Sequence, residues 1–390
     1  MERSLRIITG LVLYLFIATH LLNVATGVID PVLIEELRPV FLYVWSSRIG
    51  GIFLLLCLII HMIAGFRTLY YRNTLQMSVS DTVQFASAFL VPPLLIPHVW
   101  GVIAMEQVLG VEPTYLVLMQ FFWIDNPLEG LRQVFLIVVV WVHGSIGIFI
   151  WLRLKPWWGR AAPMVYPLIV LIPILAMLGF VSGGNLAISQ GETALDSYEQ
   201  SYATDDAASS DEISAEEIAA NNRAAEQFAA DYEFVVWVKW LCILIYSLIL
   251  AAVLIARYVR LAGKAGQVSI RYDDGTLVQS NVGLTFLELS HLNAIPHANL
   301  CRGRGRCGTC RIKILETTAV LPNPSEMELA TLEFTHSAKD VRLACQCVPG
   351  AGEISIERLM QADISHNELK AQSVKPKTNV PGEPVMGVAE

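Results

Sequence analysis

Five of the seven cysteines lie in the last quarter of the chain, and three of them fall in the stretch CRGRGRCGTC at 301–310. The spacing is Cys301-x5-Cys307-x2-Cys310, with Cys345 and Cys347 farther on. A [2Fe–2S] cluster needs four thiolates, and here a tight loop supplies three while a distant segment closes the cage. Gly303, Gly305 and Gly308 let the backbone curl and aim N–H groups at sulfur, and Arg302, Arg304 and Arg306 offset the negative charge of such a cluster. A Rieske centre needs two histidine ligands, yet no histidine lies between 298 and 335. A four-cysteine zinc site could use Cys307-x2-Cys310 with Cys345-x-Cys347, but it leaves Cys301 idle and the Gly–Arg loop without a task. Spacing alone leaves Cys345 and Cys347 as alternatives for the fourth ligand. Cys57 and Cys242 lie in apolar runs and read as packing thiols.

The second set is histidine. His20, His61, His98 and His143 fall one on each of four long apolar runs. Ionisable side chains inside a bilayer are costly and mark functional sites. With a helical rise of about 1.5 Å, His20 and His98 lie about 22 and 24 Å from the inner ends of their runs. His61 and His143 run the other way and lie about 20 and 18 Å from the outer ends, which is about 10–12 Å from the inner face of a core about 30 Å thick. They sort into an outer pair, His20 with His98, and an inner pair, His61 with His143. Two facing imidazoles on two helices are what a six-coordinate haem b needs, with no open iron position left. C-x-x-C-H is absent, so attachment would be non-covalent. Zinc is the rival metal, but histidines at two depths do not make one tetrahedral site. Arg6, Arg67 and Arg153 lie near the inner interface and could pair with haem propionates. Ordinary positive-inside arginines would occupy the same positions.

These side chains must be held by a membrane framework. The chain is 54% hydrophobic and 16% charged, with mean hydropathy +0.51. Six spans are read at 5–27, 48–71, 82–105, 131–153, 163–184 and 234–257, the first retained and not cleaved as a signal peptide. The third holds Pro92, Pro93 and Pro97 and is expected to kink. The runs 31–45 and 114–124 are too short to span and read as interfacial helices. Arginine and lysine gather at the N-terminus, at 66–81, at 153–162 and after 257, which puts both termini and the cysteine loop in the cytoplasm. That compartment is reducing, so no disulfide framework is expected. Residues 185–233 hold twelve acids and Arg223 as their one base, and are read as an acidic outer loop with a solvated surface. No basic tract points to nucleic acid.

From 266 the pattern changes. QVSIRYDDGTLVQ reads as two strands around an Asp-Gly turn. TFLELSHLN reads as a helix, RIKIL as a strand, SEMELATLE as a helix with a partly offset capping box, and EISIE as a last strand. The fold class is an all-α six-helix transmembrane bundle followed by a small α+β domain. The domains are 1–262, 263–362 and a polar, proline-rich linker at 363–390. No G-x-G-x-x-G follows a strand, so no hydride-cofactor site is read. His291, His297, His336 and His366 read as ordinary surface or core residues.

RIITGLVLYLFIATHLLNVATG, at 6–27, resembles the first helix of the membrane anchors of succinate dehydrogenase and fumarate reductase, which hold haem b and meet quinone. The order of histidines over 1–153 is similar to that of diheme anchors. The chain departs from them in its sixth span and its appended domain. CRGRGRCGTC with RLACQC at 342–347 resembles the vertebrate-type (adrenodoxin-like) [2Fe–2S] ferredoxins of β-grasp fold over about 266–360. That resemblance makes the cysteine before the glutamine, Cys345, the fourth ligand. The whole is similar to the N-terminal half of bacterial redox-regulated class III adenylate cyclases. It implies a bacterial inner membrane protein with two haems b and a [2Fe–2S] cluster, with quinone as redox partner. It also implies a homodimer and a cyclase output domain that the 28 tail residues cannot supply. The alternative expectation is an electron-transfer subunit passing electrons between quinone and a separate cytoplasmic partner.

Overall fold

The computed structural model describes residues 2–363 apart from 76, 78, 154, 156, 205–214 and 264–265, without the side chains of 2, 3, 194–204 and 215–218. The linker read at 363–390, except its first residue, lies outside the described residues, as does His366. The chain divides into two compact units, Met1–Tyr71 with Met77–Arg257 and Arg72–Gln76 with Tyr258–Glu390.

The first unit is helical. Its elements are α1 (Glu2–Ala25), α2 (Val32–Ser46), α3 (Arg48–Tyr71), α4 (Val79–Gln107), α5 (Tyr115–Gln120, continued by one π turn at Phe121–Asp125), α6 (Pro127–Leu152), α7 (Trp158–Thr204) and α8 (Ala215–Ala262). Six of them are long and apolar enough to cross a membrane, while α2 and the α5 segment are not. α1 packs against α3 and α7, and α4 packs against α6. Leu21, Ile137, Trp141 and Ala176 form one buried cluster between them, with Tyr14 stacked on Trp141 at 4.9 Å. Lipid-facing side chains such as Ile52, Leu248 and Ile255 stay exposed, as expected where the solvent is hydrocarbon.

Two sequence expectations are refined. The acidic stretch expected as an outer loop is largely helix, because α7 runs on to Thr204 and α8 already begins at Ala215. From 192 to 204 and from 215 to 233 the sequence holds no Gly or Pro and many Ala and Glu, so the helices extend beyond the apolar stretches that nucleate them. The third span is one continuous helix through its three prolines. Pro93 lacks the N–H that would bond to Phe89 O in a regular helix. The Tyr246 hydroxyl of α8 donates to Phe89 O instead, at 2.9 Å. Arg132 similarly donates to Leu94 O at 2.6 Å, and Trp100 Nε1 donates to Val235 O at 2.8 Å. These bonds fasten α8 and α6 to the proline-rich helix.

The second unit holds β1 (Gln267–Arg271), β2 (Leu277–Asn281), α9 (Phe286–Leu292), β3 (Arg311–Thr317), α10 (Glu326–Phe334), β4 (Val341–Leu343) and β5 (Gly352–Arg358). The sheet order is β2-β1-β5-β3-β4, with β1 and β5 parallel and the other pairs antiparallel. Val268, Ile270, Phe286, Leu289, Ile312, Leu343 and Ile356 fill its core. α9 opens with a full capping box between Thr285 and Glu288. At α10, Ser325 caps the Glu328 N–H, but the Glu328 carboxylate does not return the bond. It is spent on Arg342 Nε and Nη2 and on the Leu343 N–H, at 2.9, 3.0 and 2.9 Å. β4 was not read in the sequence, since three residues with an arginine at the centre carry no strand period.

Tyr246→Phe is expected to leave Phe89 O unbonded and to lower stability by about 1–3 kcal/mol, the usual cost of a buried unsatisfied carbonyl. Adding Pro93→Ala restores a helical N–H to that carbonyl and should recover most of the loss. Thermal unfolding of the single and double variants in detergent reads the coupling, and strictly additive losses would contradict it.

Candidate metal centres

The structure brings the four membrane histidines together two by two. His20 on α1 faces His98 on α4 with ring centroids 6.1 Å apart, and His61 on α3 faces His143 on α6 at 6.3 Å. Metal–imidazole nitrogen bonds are about 2.0 Å, and each ring nitrogen is about 1.1 Å from its ring centre, so two imidazoles in line on one metal stand about 6.2 Å apart. Both pairs match that spacing.

The protons of the inner pair are fixed by what surrounds it. The Gln84 carbonyl, 3.0 Å from His143 Nδ1, can only accept, so that nitrogen carries the hydrogen. Ser87 Oγ, which donates to Gln84 O, lies 3.3 Å from the same nitrogen. Thr9 donates its hydroxyl hydrogen to Leu5 O at 2.8 Å, and its oxygen is 3.2 Å from His61 Nδ1. His61 Nδ1 is therefore the donor there too. Both rings are left with a lone pair on Nε2, the state a metal ligand needs. A Cβ at Gly10 would stand 3.0 Å from His61 Cε1, so glycine there keeps the space beside this ring open. In the outer pair, the Gln133 amide lies 2.6 Å from His98 Nδ1, whereas His20 Nδ1 is buried with no hydrogen-bond partner.

The three arginines read as propionate partners take separate places. Arg6 donates to Thr68 Oγ1 at 2.6 Å, Arg67 lies over the Tyr71 ring at 4.9 Å, and Arg153 lies over the Phe149 ring at 6.0 Å. Sequence reasoning missed Thr9, Ser87 and Gln133. The signal was present in Gln133, an amide inside an apolar run. It also missed a charged group at the start of α6, where Glu129 pairs with Arg132 and with Lys239 Nζ, the latter at 3.0 Å.

In the second unit the cysteine loop has no regular structure and is held from outside. Asn299 Oδ1 accepts from the Gly303 N–H at 2.7 Å, Thr331 Oγ1 donates to Gly305 O at 2.5 Å, and Gln346 Nε2 donates to Gly303 O at 3.2 Å. Gly308 has φ +66°, and a Cβ there would stand 2.6 Å from Thr335 Cγ2, so both backbone and packing require glycine. Cys301, Cys310 and Cys345 are buried and Cys307 is half-buried. The thiols pair two and two. A hydrogen bond with Cys307 pulls the Cys301 thiol down to about 6 and pushes Cys307 up. A bond between Cys310 and Cys345 pushes the first up and pulls the second down. The Arg306 N–H approaches Cys301 Sγ at 3.5 Å, and Gln346 Nε2 approaches Cys345 Sγ at 3.4 Å. Cys347 belongs to the hydrophobic core, where burial pushes its thiol up to about 11. Among the described residues no three histidine, cysteine or acidic side chains gather on a single ion site.

Residues 272–350 match the family model described as 2Fe-2S iron-sulfur cluster binding domain. Over 85 residues the chain is 29% identical to a protein of Haemophilus influenzae named 2Fe-2S ferredoxin, covering 22% of this chain and 75% of that one. Both matches support a [2Fe–2S] cluster and electron transfer for the C-terminal domain, on a chain that also carries six apolar helices of membrane-crossing length.

Glu328 and Arg342 are a buried ion pair, 2% and 9% exposed, tying α10 to β4 just before Cys345. Glu328→Ala leaves the guanidinium without its partner carboxylate and is expected to cost about 3–5 kcal/mol. Urea unfolding followed by the visible absorbance of the cluster measures it, and an unchanged midpoint would contradict it.

Proposed function

We propose that this chain is a membrane-bound redox module with two b-type haems and a cytoplasmic [2Fe–2S] cluster, which senses the quinone pool and regulates an adenylate cyclase output domain. In this reading residues 1–262 are the diheme anchor, 263–362 the ferredoxin domain and 363–390 a linker. The setting is a bacterial inner membrane, with both termini cytoplasmic and the chain acting as a homodimer.

The observation that carries the haem reading is the pair of facing imidazoles, at 6.1 and 6.3 Å, at two depths in one bundle. His20 with His98 would hold the outer haem, and His61 with His143 the inner one. A haem held between two imidazoles supplies one-electron chemistry without an open position for oxygen. The chain's own residues do the rest. Thr9, Ser87 and the Gln84 carbonyl hold the inner ligands in the tautomer that leaves Nε2 unprotonated. Arg6, Arg67 and Arg153 are the candidates to meet propionates. Cys301 with Cys307 and Cys310 with Cys345 would each hold one iron of the cluster, and the Gly303–Gly308 backbone and Gln346 keep the sulfurs aimed inward. Cys345 lies against Cys310 whereas Cys347 has Arg342 and Glu328 as its neighbours, which supports Cys345 as the fourth ligand. Two haem levels and a cluster form a chain of one-electron stations that gives a quinone pool a route to a cytoplasmic output.

A reduced-minus-oxidised spectrum of the purified protein should show low-spin haem at two per chain, with about two further irons and two acid-labile sulfides. His20→Ala and His98→Ala should each remove the same haem and spare the other, and Cys345→Ser should remove the cluster where Cys347→Ser does not. Absence of a haem band, zinc in place of iron, or loss of different haems from the two histidine variants would refute the assignment. For the output, cyclic AMP formation in membranes holding the full assembly should follow the reduction state of the quinone pool.

A further inference from the structure

The two histidine pairs are supported unequally, and the difference centres on Gln133. Three of the four rings have a hydrogen-bond partner on Nδ1 and the fourth, His20, has none. For the inner pair the partners are fixed acceptors. For His98 the partner is an amide, which can turn either end toward the ring. With Nε2 of Gln133 toward His98 Nδ1, the ring hydrogen must sit on the ring's own Nε2, which blocks that nitrogen as a ligand. Gln133 Oε1 is then buried without a partner. A half-turn of the amide exchanges its oxygen and nitrogen, puts Oε1 against Nδ1 at the same 2.6 Å and moves Nε2 to the position Oε1 held. The ring then donates from Nδ1 and presents a lone pair on Nε2 toward His20. Gln133 is 8% exposed and sits on α6, while neighbouring Arg132 turns away to Leu94 O and Glu129. Little else could hold this amide there: a glutamine inside an apolar span has no solvent to bond.

We propose that Gln133 is the positioning residue of the outer centre. Its amide oxygen accepts the Nδ1–H of His98, fixing the ligand tautomer and the electron donation of that one axial imidazole, while His20 binds without such support. The inference rests on the haem reading of the four histidines and concerns a residue that does not itself touch the metal. An acceptor on Nδ1 makes an imidazole a stronger donor and so favours the ferric over the ferrous state. Removing it weakens that preference, and a tenfold change corresponds to about 59 mV for a one-electron couple.

The test is a spectroscopic redox titration of the full chain in detergent, comparing wild type with Gln133→Leu, Gln133→Glu and Thr9→Val. If wild type shows no pair of low-spin haems, the haem reading fails and this inference with it. With two haems present, Gln133→Leu should raise the outer midpoint by a tenfold change or more, and Gln133→Glu, which keeps an acceptor, should hold or lower it. Both should leave the inner midpoint unmoved. Thr9→Val should shift the inner haem alone. If Gln133→Leu sheds the outer haem, its retention in Gln133→Glu supports the role and its loss from both overturns it. An outer midpoint that stays put, or moves the same way in both variants, also overturns the inference, since a packing role would not separate leucine from glutamate.

Discussion

An imidazole buried in a bilayer must have both its nitrogens accounted for, and the membrane unit is organised around that constraint. A polar group without a partner in hydrocarbon costs several kcal/mol. Four such rings in four apolar helices would be a large liability if each stood alone. Here each has a second ring opposite it, and three have a neighbour on Nδ1. The neighbours come from the helices that must pack anyway. Thr9 of α1 serves His61 of α3, Gln84 and Ser87 of α4 serve His143 of α6, and Gln133 of α6 serves His98 of α4. The α1–α3 and α4–α6 contacts are thus also the contacts that orient three of the rings.

The same logic explains how a helix with three prolines survives in the bundle. Each proline deletes a donor and exposes a carbonyl to an apolar medium. Tyr246 bonds the carbonyl that Pro93 leaves open, and Arg132 bonds the neighbouring Leu94 O. Arg132 is held in turn by Glu129, which also takes Lys239 of α8. The charged group beside the outer pair therefore has a clear packing role, since it ties α4, α6 and α8 together.

Much of this was legible in the sequence, and the reasons are specific. Span count follows from run length, and the histidine pairing followed from depth, because rise per residue is constant and helix direction alternates. The strands around Asp273 and Asp274 and the Ser325 cap are local patterns, and the structure has them. What stayed hidden depends on long-range partners. Thr9 and Ser87 are ordinary small residues until a histidine from another helix meets them. Glu328 reads as half of a capping box until Arg342 claims it. The 185–233 segment reads as a loop by charge, yet charge does not break a helix, and neither 192–204 nor 215–233 holds a glycine or proline.

The cysteine loop and the histidine pairs solve one problem in two ways. In the helical unit, the paired imidazoles sit on rigid helices, so three of the four rings are oriented by little more than a neighbour on Nδ1. In the C-terminal domain, three of the cysteines sit on a loop without secondary structure, so the backbone itself must be fixed. Asn299, Thr331 and Gln346 do this from three different segments, each bonding a glycine of the loop. A substitution that spares every cysteine can therefore still misplace a sulfur, because the loop shape is stored in α10 and in the turn after β4. Glu328 is the link between those two, since its carboxylate spans Arg342 and the Leu343 N–H two residues before Cys345. Cys345 is thus held in place by an ion pair on the two elements that flank its turn.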